Sequence, residues 1–320
     1  TMLGGRRVLF VHNRITDNYS GNSFRDVIKR GLAGILYRRA DRVIGVSPSI
    51  CHELCGHLRV EPNKVLFGPN PIDRNAIFEK SNQRYGDYRD KIVEGDYLIV
   101  VASLTRQKNI ELALYVFKRL IDDYPHLHNL KLVIIGSGEM QESLYSLCDK
   151  LSLVFFDVEA REYSGTEEVY FLGFQLNPYR LLSRAKLLLM TSRWEGLPIA
   201  LLEAMSLGVP GVISNCSDGI RNAWQVDNCG TDQENVPTSK WTSFGTLVNG
   251  IENQNETINV WVISIRRLLA DDALYNNAND LLVNANHLVS DARSFTDDIK
   301  LNPKKYIRAY FAAKREDSKK

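Results

Sequence analysis

Several features that would define other classes of protein are missing from this 320-residue chain. Its five cysteines are few and odd in number, which favours free thiols in a reducing compartment over a disulfide framework. No apolar run approaches the roughly 20 residues that a membrane-spanning helix needs. The net charge of +2 indicates neither a nucleic-acid-binding protein nor one that collects acidic ligands. No G-x-G-x-x-G opens either predicted sheet, which argues against an NAD-dependent dehydrogenase.

The segment CHELCGH is the cluster of potential metal ligands that needs weighing, with Cys51 and Cys55 one helical turn apart and His52 and His57 beside them. Half of a zinc site is one interpretation. No second Cys/His pair follows at finger-like spacing, and free cysteines are common on buried helices. We therefore expect no metal site.

What the chain does contain is a regular alternation of short apolar, β-rich segments with longer helical ones. A hydrophobic content of 44% and a charged content of 24% are typical of a globular protein, and the length favours two domains. Continuous apolar strands separated by helices predict an α/β fold with parallel sheets covered on both faces. The first series of strands is too short for a complete doubly wound domain, whereas the series beginning at residue 97 is complete.

These patterns predict four segments and one insertion. They are a partial Rossmann-like domain over 1–78, a linker over 79–95, a Rossmann-like domain over 96–300, a surface insertion over 222–243, and a basic C-terminal helix over 301–320. The helix is expected to pack back on the first domain.

The stretch SRWEGLPIALLEAMSLGVP carries two carboxylates, Glu195 and Glu203, in an apolar context. Pro198 suits the first position of a helix, and Gly208 followed by Pro210 predicts its end. The predicted helix has no clear solvent-facing side, so it should be buried. An ionised carboxylate in such a helix costs several kcal/mol unless donors satisfy it. Its partner is either another group of the fold, such as an arginine or a backbone cap, or the hydroxyls of a ligand.

Polar and small residues follow the predicted strands of the second domain. Arg106 and Lys108 follow its first strand, Gly136 and Gly138 the next, and Glu195 a later one. Open α/β sheets bind ligands beyond the carboxyl ends of their strands. Cations beside a helix N-terminus suit a diphosphate.

The block EGLPIALLE, in which seven residues separate two glutamates, resembles the signature of retaining family-4 (group 1) glycosyltransferases of the GT-B fold. The resemblance continues through VASLTRQKN, VIIGSGE, VYFLGF, SNCSDG and FGTLV, and upstream through FVHN, RRADRVIGVSPSI and PNPID. It implies two Rossmann-like domains, the first incomplete. It also implies transfer of a sugar from a UDP- or GDP-sugar donor to a saccharide or lipid-linked acceptor, without a metal or other cofactor.

The resemblance implies roles for individual residues. His12, Glu195 and Lys108 would be catalytic: Glu195 contacts the transferred sugar, Lys108 neutralises the leaving diphosphate, and His12 lies near the reacting sugar. A merely hydrogen-bonded histidine is the alternative for His12. Glu203 would hold the ribose hydroxyls. The other donor-binding positions would be Ser103, Arg106, Gly136, Gly138, Gly173, Phe174, Gly196, Leu197, Ile199 and Ala200, of which Gly173 and Phe174 would border the nucleobase.

Three departures from the family pattern leave an alternative open. Ser103 occupies the slot of the usual arginine, Asn222 that of a usual glutamate, and about half of the first domain is missing. A degenerate, non-catalytic nucleotide-sugar-binding module is therefore the alternative.

The resemblance further implies surface polysaccharide or glycolipid assembly in the cytoplasm, with no nucleic-acid partner. Peripheral contact with the inner face of the membrane is an additional expectation. The basic residues that would favour it are Lys304, Lys305, Arg308, Lys314 and Arg315.

Overall fold

The computed structural model describes residues 7–18, 24–158, 163–224, 239–242, 244–250 and 254–270. The predicted basic helix over 301–320 and its lysines and arginines lie outside these residues, as do residues 271–300 of the predicted second domain. No described helix is both long enough and apolar enough to cross a membrane.

The first sheet has three parallel strands in the order β1-β2-β3. They are β1 (Val8–Val11), β2 (Arg42–Gly45) and β3 (Val65–Phe67), connected through α1 (Ile15–Asn18), α2 (Phe24–Arg39) and α3 (Pro48–Gly56). β1 is an edge strand, and α2 exposes apolar side chains such as Phe24, which is 80% exposed. Within the described residues this sheet has fewer strands than the five or six of a complete doubly wound domain.

The second sheet has eight strands in the order β10-β11-β9-β8-β4-β5-β7-β6. The strands are β4 (Tyr97–Val101), β5 (Lys131–Ile135), β6 (Phe155–Asp157), β7 (Val169–Phe171), β8 (Leu187–Met190), β9 (Gly211–Ser214), β10 (Ser239–Thr242) and β11 (Gly245–Val248). The helices are α6 (Ile110–Asp123), α7 (Gln141–Lys150), α8 (Tyr179–Arg184), α9 (Ile199–Ser206), α10 (Asp218–Ala223) and α11 (Gln254–Leu269).

The connectivity of this sheet fixes where a ligand can enter. From β4 the chain builds one side through β5, β6 and β7, and then returns to build the other side through β8 and β9. β4 and β8 are therefore neighbours in the sheet. After β4 the chain continues toward β5 on one side, and after β8 it continues toward β9 on the other side. In open α/β sheets the crevice at this switch point, beyond the carboxyl ends of the strands, is the ligand site.

The core follows from the alternation of side chains along each strand. On β4, Leu98 and Val100 pack in one hydrophobic cluster, which includes residues of α6 and α11. Tyr97 and Ile99 point to the opposite face and join a second cluster that extends through α9 into the first sheet. A continuous apolar core thus connects the two sheets.

The Rossmann-like α/β prediction is confirmed, with two corrections. The second sheet is not wholly parallel, because β10 pairs antiparallel with β11. β10 occupies the end of the predicted surface insertion 222–243, so this part of the insertion is an edge strand of the sheet. β6 was also not predicted.

The segment between the sheets is partly helical and is attached to the second sheet. Helix α4 (Arg74–Ser81) packs on α8 and α9, and the short α5 (Tyr88–Val93) packs on α8. The Tyr85 hydroxyl donates to the carbonyl of Asn177 at 2.8 Å, and Arg180 pairs with Asp90 at 3.1 Å. The predicted linker, 79–95, therefore lies against the second domain.

Candidate functional site

The loops that follow β4 and β8 are joined by hydrogen bonds. The backbone N–H of Arg193 donates to the carbonyl of Gln107 at 2.8 Å, and the Gln107 side-chain amide donates to the carbonyl of Trp194 at 2.8 Å. The Thr191 hydroxyl lies 2.9 Å from the Asn109 carbonyl and 3.0 Å from that of Lys108. These bonds hold the two loops in one fixed arrangement beyond the strand ends.

This arrangement pairs two of the predicted catalytic residues. The ammonium group of Lys108 lies 2.5 Å from Oε1 of Glu195, and the Ser192 hydroxyl donates to the same oxygen at 2.7 Å. Glu195 is only 5% exposed. A carboxylate buried to this extent requires such partners, because desolvation otherwise costs several kcal/mol.

The segment from Glu195 to α9 is fixed from three sides. The Ser217 hydroxyl donates to the Gly196 carbonyl at 2.8 Å, and the Asn70 amide donates to the Leu197 carbonyl at 2.6 Å. A Cβ added at Gly196 would collide with the backbone oxygen of His12, so only glycine permits this approach of the first sheet. The carbonyl groups of Gly196 and Leu197 thus have donors from other elements, while the first N–H groups of α9 have no acceptor within the helix.

A cavity of about 310 Å³ lies at this place and takes residues from both sheets. From the first sheet and its loops come His12, Asn13 and Asn70. From the second come Val100, Val101, Ala102, Ser103, Lys108, Ile110, Leu189, Met190, Thr191, Ser192, Glu195, Leu197, Pro198, Ile199 and Ala200. Seven of the predicted site residues line it: His12, Ser103, Lys108, Glu195, Leu197, Ile199 and Ala200. A cation, a carboxylate and a helix N-terminus therefore converge on one space.

The remaining predicted site residues do not line this cavity. Arg106 is exposed, and Phe174, which follows Gly173 at a φ of 63°, is 72% exposed. At Gly136 and Gly138 an added Cβ would collide with backbone of the loop after β4. These two glycines are thus required by the packing of two loops against each other, whether or not a ligand also approaches them.

Glu203 lies beside the cavity. The Tyr179 hydroxyl donates to its Oε1 at 2.9 Å. Burial raises the pKa of Glu203, and the hydrogen bond from Tyr179 opposes that rise. Ile199 and Ala200, which lie three and four positions earlier on α9, line the cavity. Because helical side chains lean toward the N-terminus, the carboxylate lies over this turn.

One expectation about α9 needs correction. The helix does have a solvent-facing side, because Ile199 is 47% exposed and Glu203 is only partly buried. Glu203 does have a partner elsewhere in the fold, as one of the two interpretations expects, and that partner is the hydroxyl of Tyr179.

Several residues of the site have no role among the expectations from the sequence: Asn13, Asn70, Tyr179, Ser192 and Ser217. Ser217 had a local signal, because it precedes the short helix α10 and caps it by accepting from the N–H of Ile220. Asn70 belongs to a quoted motif, PNPID, but its contact with Leu197 spans 127 residues. Such a contact is set only by the packing of the two sheets.

The cluster CHELCGH has the properties of a structural element. The Cys51 thiol contacts the carbonyls of Gly45 and Leu66, and burial raises its pKa to about 12. A thiol that stays protonated is a poor metal ligand. Among the residues that the structure describes, no group of three or more histidine, cysteine, aspartate or glutamate side chains is placed to hold a metal ion.

Comparison with known structures identifies the fold. S. aureus TarM, solved with UDP, fondaparinux and α-GlcNAc-glycerol, matches 93% of this chain and 50% of its own with a TM-score of 0.65 at 15% identity. Two Rossmann-like units with a cleft between them define the GT-B class of glycosyltransferases. The family model "Glycosyl transferases group 1" matches residues 89–259, more than half of the chain. The chain belongs to this family.

Two curated relatives are similar over long segments. An uncharacterized glycosyltransferase of Methanocaldococcus jannaschii is 29% identical over 67% of this chain and 49% of its own length. N-acetylgalactosamine-N,N'-diacetylbacillosaminyl-diphospho-undecaprenol 4-alpha-N-acetylgalactosaminyltransferase of Campylobacter jejuni is 25% identical over 85% of this chain and 63% of its own length. The chain therefore spans about half to two thirds of the length of these relatives.

Proposed function

We propose that this chain binds a nucleotide-diphosphate sugar and transfers the sugar, with retention of anomeric configuration, to a saccharide or lipid-linked acceptor. The observation that carries the proposal is the pair Lys108–Glu195 at the switch point between β4 and β8, in a cavity that His12 of the first sheet also lines. A cavity shared by two Rossmann-like units can hold a donor on one side and an acceptor on the other.

Each polar group has a part in the proposed reaction. The ammonium group of Lys108 leaves Glu195 and neutralises the diphosphate as its bond to the sugar breaks, together with the free N–H groups at the start of α9. Glu195 then accepts hydrogen bonds from hydroxyls of the sugar. Stabilising charge on the leaving group is the main requirement of such a transfer. The two glutamates are not an acid–nucleophile pair, because Glu203 lies outside the cavity, in contact with Tyr179.

The proposal extends to the remaining expectations about the donor, the acceptor and the setting. The donor is a UDP- or GDP-sugar and no divalent metal takes part, since Lys108 and the helix N-terminus supply positive charge. The relative from C. jejuni is named for a diphospho-undecaprenol-linked acceptor. By analogy, we propose an acceptor of surface polysaccharide or glycolipid assembly, used at the cytoplasmic face of the membrane.

A panel of UDP-, GDP- and ADP-sugars tests the enzyme. One donor should raise the melting temperature and be slowly hydrolysed, with and without EDTA. Hydrolysis should be lost in Lys108→Met and Glu195→Gln, and retained in Glu142→Gln, which removes a carboxylate from the exposed surface of α7. A donor that binds but is never hydrolysed or transferred would support the non-catalytic module, which Ser103 in the slot of the usual arginine favours. A thermal shift with none of the nucleotides would refute both.

A further inference from the structure

Tyr179 has no assigned role in the proposed reaction, but it contacts Glu203, to which the family resemblance gives the ribose hydroxyls of the donor. Tyr179 is the first residue of α8, and its hydroxyl donates to Oε1 of Glu203 at 2.9 Å. The backbone of Tyr179 is also held in place, because its N–H donates to Oδ1 of the Asn177 side chain at 3.2 Å. The ammonium group of Lys80 lies over the ring, 5.9 Å from its centre.

This contact restricts the carboxylate of Glu203. Within the described part of the chain, Tyr179 is the one side chain that donates a hydrogen bond to it. A glutamate has several rotatable bonds, and holding one oxygen selects one orientation among many. No hydrogen bond from the described residues engages the other oxygen, so its lone pairs can accept from a ligand beside the turn of α9 that borders the cavity.

We propose that Tyr179 is a positioning residue for the nucleoside part of the donor, whose hydroxyl fixes Glu203 so that the free carboxylate oxygen accepts the vicinal hydroxyls of a ribose. The inference rests on the proposed function and on the role that the family resemblance implies for Glu203, which is to hold those hydroxyls. It adds that the site selects ribonucleotides through a hydrogen-bond chain from Tyr179 to Glu203 to ribose.

The test compares Tyr179→Phe with the unchanged protein, using the nucleoside diphosphate that gives the largest thermal shift among UDP, GDP and ADP. Its dissociation constant and that of its 2′,3′-dideoxy analogue are measured by calorimetry. We expect Tyr179→Phe to weaken binding of the ribonucleotide about five- to tenfold, as for loss of one hydrogen bond, and to leave binding of the analogue unchanged. A merely structural role would weaken both equally.

Tyr97→Phe is the matched control. The Tyr97 hydroxyl is fully buried on β4 and donates to the carbonyl of Leu181 on α8 at 2.6 Å. Like Tyr179→Phe, this substitution removes one tyrosine hydroxyl and one hydrogen bond that involves α8. It leaves the contacts of Glu203 unchanged. We expect a lower melting temperature and an unchanged preference for the ribonucleotide.

Glu203→Gln separates the inference from the proposed function. If the preference for the ribonucleotide falls in Glu203→Gln but persists in Tyr179→Phe, the positioning role is overturned and the proposed function stands. If Glu203→Gln leaves the preference unchanged, the assignment of Glu203 to the ribose fails, and the inference fails with it.

Discussion

The ion pair Lys108–Glu195 predicts a gain of affinity in a variant that should lose activity. A diphosphate that binds Lys108 must first separate the ammonium group from Glu195, which holds it at 2.5 Å. Glu195→Gln keeps the size of the side chain and a hydrogen-bonding oxygen but removes the competing charge. A free nucleoside diphosphate should therefore bind this variant more tightly, while the sugar nucleotide is no longer hydrolysed.

The expected magnitude follows from the geometry. The Glu195 side chain is 4% exposed and that of Lys108 is 21% exposed, so solvent screens the pair only in part. A hydrogen bond between charged groups contributes about 1.5–3 kcal/mol, and one between neutral groups about 0.5–1.5 kcal/mol. The difference, about 1 kcal/mol, corresponds to roughly fivefold tighter binding, because 1.4 kcal/mol is a factor of ten.

Calorimetric titration at one fixed ionic strength measures this change, since salt screens the partly exposed cation. Glu142→Gln controls for the change of net charge and should bind as the unchanged protein does. Weaker binding of the nucleoside diphosphate by Glu195→Gln would mean that the carboxylate assists the diphosphate rather than competing with it, and would contradict the expected gain of affinity.

Three further predictions concern stability. Burial raises the pKa of Glu203 above 4.5, so the folded state holds this proton more tightly than the unfolded state, and stability falls as pH rises through that raised pKa. Glu203→Gln should therefore melt higher than the unchanged protein at pH 7.5 and equally at pH 4; a lower melting point at pH 7.5 would contradict this. Gly196→Ala should cost about 1–3 kcal/mol through collision with backbone of the first sheet, whereas Gly31→Ala, in open space on α2, should stabilise by about 0.5–1 kcal/mol. A melting temperature that is higher for Gly196→Ala than for Gly31→Ala would contradict this expectation. Thr191→Val should cost about 1 kcal/mol in urea denaturation because its hydroxyl bonds a backbone carbonyl. Thr246→Val, whose buried hydroxyl has no partner within the described residues, should cost nothing; equal losses would refute the assignment.

Much of the second domain could be predicted because its strands carry strong local signals. β4 and β5 are continuous apolar runs, and α9 begins directly after Pro198 and ends before Gly208. β6 and β10 were missed for the opposite reason. β6 has three residues, and β10 reads SKWT, with a single apolar side chain. The pairing of such short strands is determined by their neighbours in the sheet rather than by their own pattern.

The site was predicted in part for a similar reason. Lys108 and Glu195 come shortly after the ends of β4 and β8. Those ends could be predicted because the continuous apolar run of each strand stops there. The direct contact of Lys108 with Glu195 depends on β4 and β8 being neighbours, which follows from strand order and not from either motif. The roles of His12, Lys108, Glu195 and Glu203 in catalysis and binding stay predictions, although their positions are known.

The attachment of α4 to the second sheet determines how the two sheets can move. Since α4 and the segment after it pack on the second sheet, residues 68–73, between β3 and α4, form the described connection about which the first sheet could swing. Asn70 lies inside this pivot and holds the carbonyl of Leu197. A swing would withdraw that amide and move His12 away from Gly196, so separating the two sheets would also break up the lining of the cavity between them.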